Sequence, residues 1–259
     1  MPVGGKSFTE LVAEAEAHSF SGWDFGHLVG RMVQDPLSWD YRSRVRELLT
    51  GAATLLDVDT GGGEVLASLA PLPPHTVATE GYVPNISVAR QNLEPLGVKV
   101  VELEVNDCGA CKLPFSEETF DLIINRHGSF AADEFYRILK HNGQFITQQV
   151  GGTNLYGLNE ALHATASDMD LTWNLDKASA QLTQAGFTVI FAKEEFPKTT
   201  FRDIGAVVYY LRAIPWQITD FSVDRYIDRL TTIHETIENT GEFVVHAHRF
   251  YIEAEREHV

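Results

Sequence analysis

Leu55-Leu56-Asp57-Val58-Asp59-Thr60-Gly61-Gly62-Gly63-Glu64 runs a short apolar segment into a glycine-rich turn and on into a helix-forming stretch. Leu55 to Val58 is too short for an independent helix, and the three glycines that follow mark the end of a buried strand. Glycine accepts positive φ and lets the backbone approach a ligand closely. The segment therefore reads as strand, ligand-cradling loop and helix start. The helix would cover roughly Glu64 to Leu69, with its unpaired N–H groups facing back toward the loop.

Charge narrows what such a loop could hold. A dinucleotide fingerprint asks for glycines at G-x-G-x-x-G, and here Gly61 and Gly63 are followed by Leu66 at the third place. Asp57, Asp59 and Glu64 surround the turn, and Glu80 ends the next predicted strand, Thr76 to Thr79. A pyrophosphate would be repelled there and a cation attracted. At about 4 Å and an effective dielectric near 20, each unit-charge contact is on the order of 4 kcal/mol before desolvation, so sign can select the ligand class. A sulfonium, an ammonium and a ribose, as in S-adenosylmethionine, form the pattern these acids could serve.

Leu56 to Gly63 resembles the first motif of class I S-adenosylmethionine-dependent methyltransferases, in the group that includes the ubiquinone and menaquinone C-methyltransferases. Three later stretches fall in the matching order: Val77-Ala78-Thr79-Glu80-Gly81, Leu113-Pro114-Phe115 with Phe120 to Arg126, and Glu134 to Phe145. The resemblance implies a Rossmann-like α/β fold: a seven-stranded mixed sheet with its last strand antiparallel, helices on both faces and a helical cap. It implies that Glu80, beside Gly81, holds the ribose hydroxyls, and that Asp57, Thr60, Gly61, Gly63 and Asn125 line the cofactor site. An acid at Asn106-Asp107 would meet the adenine amino group, with either residue as the contact, and Cys108 would donate its backbone N–H to the ring. Asp59 stands where the family usually has its first glycine. It is either a solvated turn acid or a partner of the methionine ammonium.

With 259 residues, 44% hydrophobic and 22% charged, the chain can bury one large core. Thirty-six acids against 20 bases give a net charge of -16, which argues against phosphate backbones and anionic membrane surfaces as partners. No run approaches a membrane span and no basic leader opens the chain, so a cytoplasmic location is expected, as monomer or homodimer. Cys108 and Cys111 form a C-x-x-C without the second pair that a zinc site needs, so no metal is expected.

The remaining periodicity predicts helices over Phe8 to Ala17 and Leu37 to Leu49, so residues 1–50 read as an N-terminal helical lid with Arg31, Asp40 and Tyr41 as secondary candidates. Residues 51–259 read as the catalytic domain, with cap insertions near 153–173 and 200–240. Helices are expected over Asn85 to Leu93, Asn154 to Trp173, Leu175 to Ala185, Phe201 to Leu211 and Ser222 to Asn239. Strands are expected over Val98 to Leu103, Phe120 to Asn125, Gly143 to Val150, Phe187 to Glu195 and Glu242 to Glu253. His127 follows the buried strand Phe120 to Asn125, at the carboxyl end where ligands of open α/β sheets bind. It is either the catalytic base for the methyl acceptor or a histidine satisfied locally.

The expected activity is methyl transfer from S-adenosyl-L-methionine to a small-molecule acceptor. The alternatives are a non-catalytic cofactor-binding regulatory protein, or a methyltransferase acting on protein or RNA.

Overall fold

The computed structural model describes residues 6–20, 25–103 and 112–257. In chain order its main elements are α1 (Phe8–Ala17), β1 (Met32–Gln34), α2 (Tyr41–Leu49), β2 (Thr54–Val58), α3 (Glu64–Ala67), β3 (His75–Glu80) and α4 (Val83–Leu93). There follow β4 (Lys99–Glu102), β5 (Phe120–Arg126), α5 (Ala132–Ile138), β6 (Leu139–Val150), α6 (Gly157–Leu162), α7 (Leu175–Ala185) and β7 (Thr188–Glu195). The last are β8 (Lys198–Phe201), α8 (Ile204–Ala213), α9 (Val223–Thr240), β9 (Phe243–His246) and β10 (Arg249–Glu255). None of the described helices is long and apolar enough to cross a membrane.

The chain divides into two compact units. One takes residues 38–151, 173–195 and 249–259 and holds a seven-stranded sheet in the order β4-β3-β2-β5-β6-β10-β7. Strands β2 to β6 pair in parallel, and β10 inserts antiparallel between β6 and β7. This is the expected Rossmann-like mixed sheet. Side chains alternate across it: Leu56, Ile123 and Phe145 pack with Phe135 of α5 and Leu182 of α7. Leu55, Leu122, Ile124 and Ile146 pack on the other face with Val45 of α2 and Leu93 of α4. Burial on both faces explains why β2 and β5 read as continuous apolar runs.

The second unit takes residues 1–37, 152–172 and 196–248. It holds the antiparallel sheet β1-β8-β9 and a core in which Val12, Val207, Tyr209, Leu230 and Ile233 are buried. The fork of Arg31 meets Asp203 there, Nε to Oδ2 at 2.8 Å and Nη2 to Oδ1 at 2.6 Å. Residues 1–50 are thus shared between the units, 1–37 in one and 38–50 in the other.

Several sequence expectations need correction. Residues 154–173 are helical only over α6, because His163 takes a left-handed conformation with φ 53° and closes that helix. Phe201 ends a strand instead of starting a helix, since Asp203 caps the next helix by accepting from the Ala206 N–H at 2.9 Å. The expected terminal strand is two strands: Ala247-His248 breaks it, with the Ala247 N–H donating to the Pro197 carbonyl at 2.9 Å. Strand β6 starts at Leu139, four residues before Gly143, and carries Asn142 in the left-handed region at φ 59°.

Gly63 holds φ +82°, and a Cβ there would stand 2.6 Å from Leu93 Cγ, whereas at Gly61, with φ +65°, it would meet open space. Gly61→Ala should therefore cost the torsional penalty alone, about 1–2 kcal/mol. Gly63→Ala should cost clearly more, because the neighbouring core has to move. Urea midpoints measure both; equal losses would count against the packing difference.

Candidate functional site

The turn after β2 sits among carboxylates that the sheet brings to one end. Asp57 is 7% exposed and Glu80 5% exposed. Asp57 Oδ2 accepts from Thr60 Oγ1 at 2.6 Å, and the Thr60 N–H donates to the Thr79 carbonyl at 2.8 Å, which ties the loop to β3. Burial, with further pressure from the charges of Asp59 and Glu80, pushes the Asp57 carboxyl up to about 7, against the pull of the Thr60 hydroxyl and of Arg126. Asp59 lies at φ 55°, and its Oδ2 accepts from the Ser129 N–H at 2.8 Å. Its own N–H donates to Thr79 Oγ1 at 3.1 Å. Asp59 therefore joins the glycine turn to the loop that follows β5.

Glu80 spends one oxygen locally: Oε1 accepts from the Tyr82 N–H at 2.7 Å. Oε2 makes no hydrogen bond among the described residues. A diol needs an acceptor of this kind. Gly81 follows directly and is half-buried.

Asn125 is fully buried at the head of β5. Its carbonyl accepts from Thr147 Oγ1 at 3.1 Å and from Gln149 Nε2, and its amide donates to the Ser129 and Val58 carbonyls at 3.2 and 3.4 Å. Both lone pairs and both hydrogens are thus used within the protein. Asn125 shapes the loop after β5, and its side chain has no capacity left for a ligand.

His127 stands next to it at φ 61°, exposed to solvent, with its N–H donating to the Gln148 carbonyl at 2.8 Å. Its Nε2 lies 3.0 Å from Gln148 Nε2, and Gln148 Oε1 accepts from the Trp39 indole N–H at 2.9 Å. Although part of the residue reaches solvent, desolvation of the ring by the surrounding chain, then the charges of Arg126 and Arg249, hold its pKa below the usual histidine value. Register places these groups together: Arg126 pairs with Gln148 across β5–β6, and Arg249 with Val150 across β6–β10.

Asp57, Asp59, Thr60, Gly61, Gly63 and Glu80 gather around one turn, while Asn125 and His127 lie at the head of the neighbouring strand. Asp107 and Cys108, with Asn106 and Cys111, lie outside the described residues. Asp40 caps α2, accepting from the Ser43 N–H at 3.1 Å. Tyr41 is 4% exposed, and its hydroxyl has no partner among the described residues, near Asp57 and Arg126. The contacts of Trp39 and Ser129 have no local sequence signal, because their partners lie 109 and 70 positions away.

Residues 56–147 match the family described as methyltransferase domain. Comparison with curated proteins gives no match. Among solved structures, a Bacillus halodurans C-125 protein provisionally named a methyltransferase superposes with a TM-score of 0.60 at 18% identity, covering 84% of this chain and 99% of that one. YcgJ of Bacillus subtilis gives 0.56 at 16% identity, with 84% and 98% covered. A functionally unknown protein of Deinococcus radiodurans R1 gives 0.56 at 13% identity, with 87% and 90% covered. At these identities the structural likeness establishes the fold, and the domain match spans the acid-ringed turn and the strands beside it. Residues 56–147 are therefore a methyltransferase domain, and S-adenosyl-L-methionine is the cofactor that this domain implies.

Proposed function

We propose that this enzyme methylates a small-molecule acceptor bound at the head of β5 and β6, beside His127, with the cofactor held by the turn after β2 and by Glu80. One observation carries the cofactor half. Three carboxylates meet at one turn, and one of them is pushed up to about 7 by burial and by its neighbours, a strain that a cation relieves. The residues present fit the group: Glu80 Oε2 is open to a ribose hydroxyl, and Asp57 and Asp59 are placed for positive charge. When bound, the cofactor supplies an electrophilic methyl carbon on a sulfonium. The chain's own residues orient the acceptor and keep water from it, which is where most of the rate gain of such a displacement arises.

The acidic surface, net -16, supports a small acceptor over RNA, since phosphate backbones are held by Lys and Arg. The adenine contacts of Cys108 and of either Asn106 or Asp107 are part of this proposal on the family resemblance.

Calorimetry with S-adenosylhomocysteine and with NAD tests the cofactor site: the first should bind and the second should not. Glu80→Gln should weaken S-adenosylhomocysteine by about tenfold, the scale of a hydrogen bond to a charged group, with little change in melting temperature. Saturation by NAD alone would remove the proposal. Incubating the protein with labelled methyl donor and a metabolite extract should label a small compound.

Asp57 gives a pH signature. Its folded carboxyl titrates near 7 against an ordinary 3.8, so between these values the folded state keeps a proton that the unfolded chain has released. Stability attributable to this group is therefore full below the lower value, falls as pH rises toward 7, and is level above it. Asp57→Asn should raise stability at about pH 8 by ~1 kcal/mol or more while weakening S-adenosylmethionine. Thermal melts across pH and cofactor titrations check the two opposite effects; a variant that is both less stable at that pH and equally good at binding would contradict them.

A further inference from the structure

The geometry points to His127 as a hydrogen-bond donor, not a base: Trp39 and Gln148 fix its neutral ring with the proton on Nδ1, which we propose binds an anionic oxygen of the methyl acceptor. This deepens the proposed function and rests on its placement of the acceptor beside His127.

The deduction starts at the indole. A tryptophan N–H can only donate, so the Gln148 atom 2.9 Å from Trp39 Nε1 has to be the amide oxygen. The amide nitrogen then faces His127 and, having only hydrogens to offer, donates to Nε2 at 3.0 Å. A neutral imidazole whose Nε2 accepts carries its proton on Nδ1. That nitrogen makes no hydrogen bond among the described residues, and the residue reaches solvent. A base at this position would need a bare nitrogen facing the acceptor, and the one bare nitrogen is already engaged.

The surroundings select the sign of what Nδ1–H meets. Arg126 and Arg249 lie at the same end of the sheet, by the register of β5, β6 and β10. The Arg126 side chain is half-buried and forms neither an ion pair nor a hydrogen bond among the described residues. Asp57 acts on this guanidinium through space without a hydrogen bond among the described residues, so donors of a partly desolvated cation stay open to an anionic ligand. The cofactor turn is negative and this neighbouring region positive, so the two halves of the site favour ligands of opposite charge.

An acceptor bound as an enolate, phenolate or carboxylate also removes the need for a base. Its lone pair forms the new bond to the methyl carbon, the carbon–sulfur bond breaks with its electron pair kept by sulfur, and no proton has to leave the acceptor. The left-handed φ at His127 fits a position held for function, because a non-glycine residue there carries strain. Trp39 and Gln148 act through His127 and are positioning residues.

Nitrogen-15 NMR of the histidine side chains in the protein alone reads the tautomer directly: His127 should show a protonated Nδ1 and a bare Nε2. Trp39→Phe frees the Gln148 amide to turn over, and the two tautomers should then mix. In parallel, benzoate and its neutral isostere benzamide are titrated by calorimetry into protein saturated with S-adenosylhomocysteine. Benzoate should bind about tenfold more tightly, the scale of one charge-assisted hydrogen bond. His127→Asn, whose amide N–H stands near the place of Nδ1 and whose backbone tolerates positive φ, should keep most of that preference. His127→Gln, whose amide reaches the place of Nε2, should lose it. A bare Nδ1 in the wild-type protein, equal affinity for benzoate and benzamide, or a preference kept by His127→Gln and lost by His127→Asn would each overturn the inference. Failure of S-adenosylhomocysteine to bind the wild type would instead strike the cofactor assignment, and the tautomer would still be decided by NMR.

Discussion

The structure turns on the crowding of carboxylates at the head of β2. Asp57, Asp59 and Glu80 are drawn together by the parallel strands β2 and β3, whose carboxyl ends lie side by side, and two of them are nearly buried. Among the described residues, burial leaves those two with few donors: the Thr60 hydroxyl serves Asp57 and the Tyr82 amide serves Glu80. The fold carries the mismatch because core packing on both faces of the sheet holds the strand ends in place. In the function proposed above, a positively charged nucleoside would recover part of what folding spent. This is the sense in which binding-site strain is offset elsewhere in a protein.

Next to this negative turn the same sheet edge changes character. Asn125, Thr147 and Gln149 form a closed amide and hydroxyl network, fully used internally, that shapes the loop holding Ser129. Ser129 in turn reaches back to Asp59. The two sides of the site are therefore linked by side-chain hydrogen bonds in addition to the β2–β5 ladder, and a disturbance of the loop after β5 is felt at the cofactor turn.

Much of the sheet was legible because its signals are local. Leu55 to Val58 and Phe120 to Asn125 are apolar on both faces, the glycines end β2, and Glu80 stands at the spacing a ribose acid requires. What stayed hidden depends on partners distant in sequence or on unusual backbone choices. Nothing in Lys198-Thr199-Thr200-Phe201 distinguishes a four-residue strand from the first turn of a helix; its pairing with β1 and β9 decides it. His163 takes positive φ and ends α6 early, and no periodicity could foretell that. In the site, residue types were read more easily than their duties: Asn125 has a plausible ligand's chemistry, yet its hydrogen-bonding capacity is consumed by its neighbours.

The place of β10 has a consequence for how the chain assembles. Strands β6 and β7 are separated in the finished sheet by residues 249–255, which are made after every other strand. While the chain is still emerging from the ribosome, β6 exposes a bare edge and β7 has no neighbour to join, so the half of the sheet that carries Gln148 cannot close until residues 249–255 have emerged. The cofactor half, β2 to β5, lacks only local partners and can form earlier. Translation therefore delivers the β2 to β5 portion first and withholds the other until β10 slides into the gap kept for it.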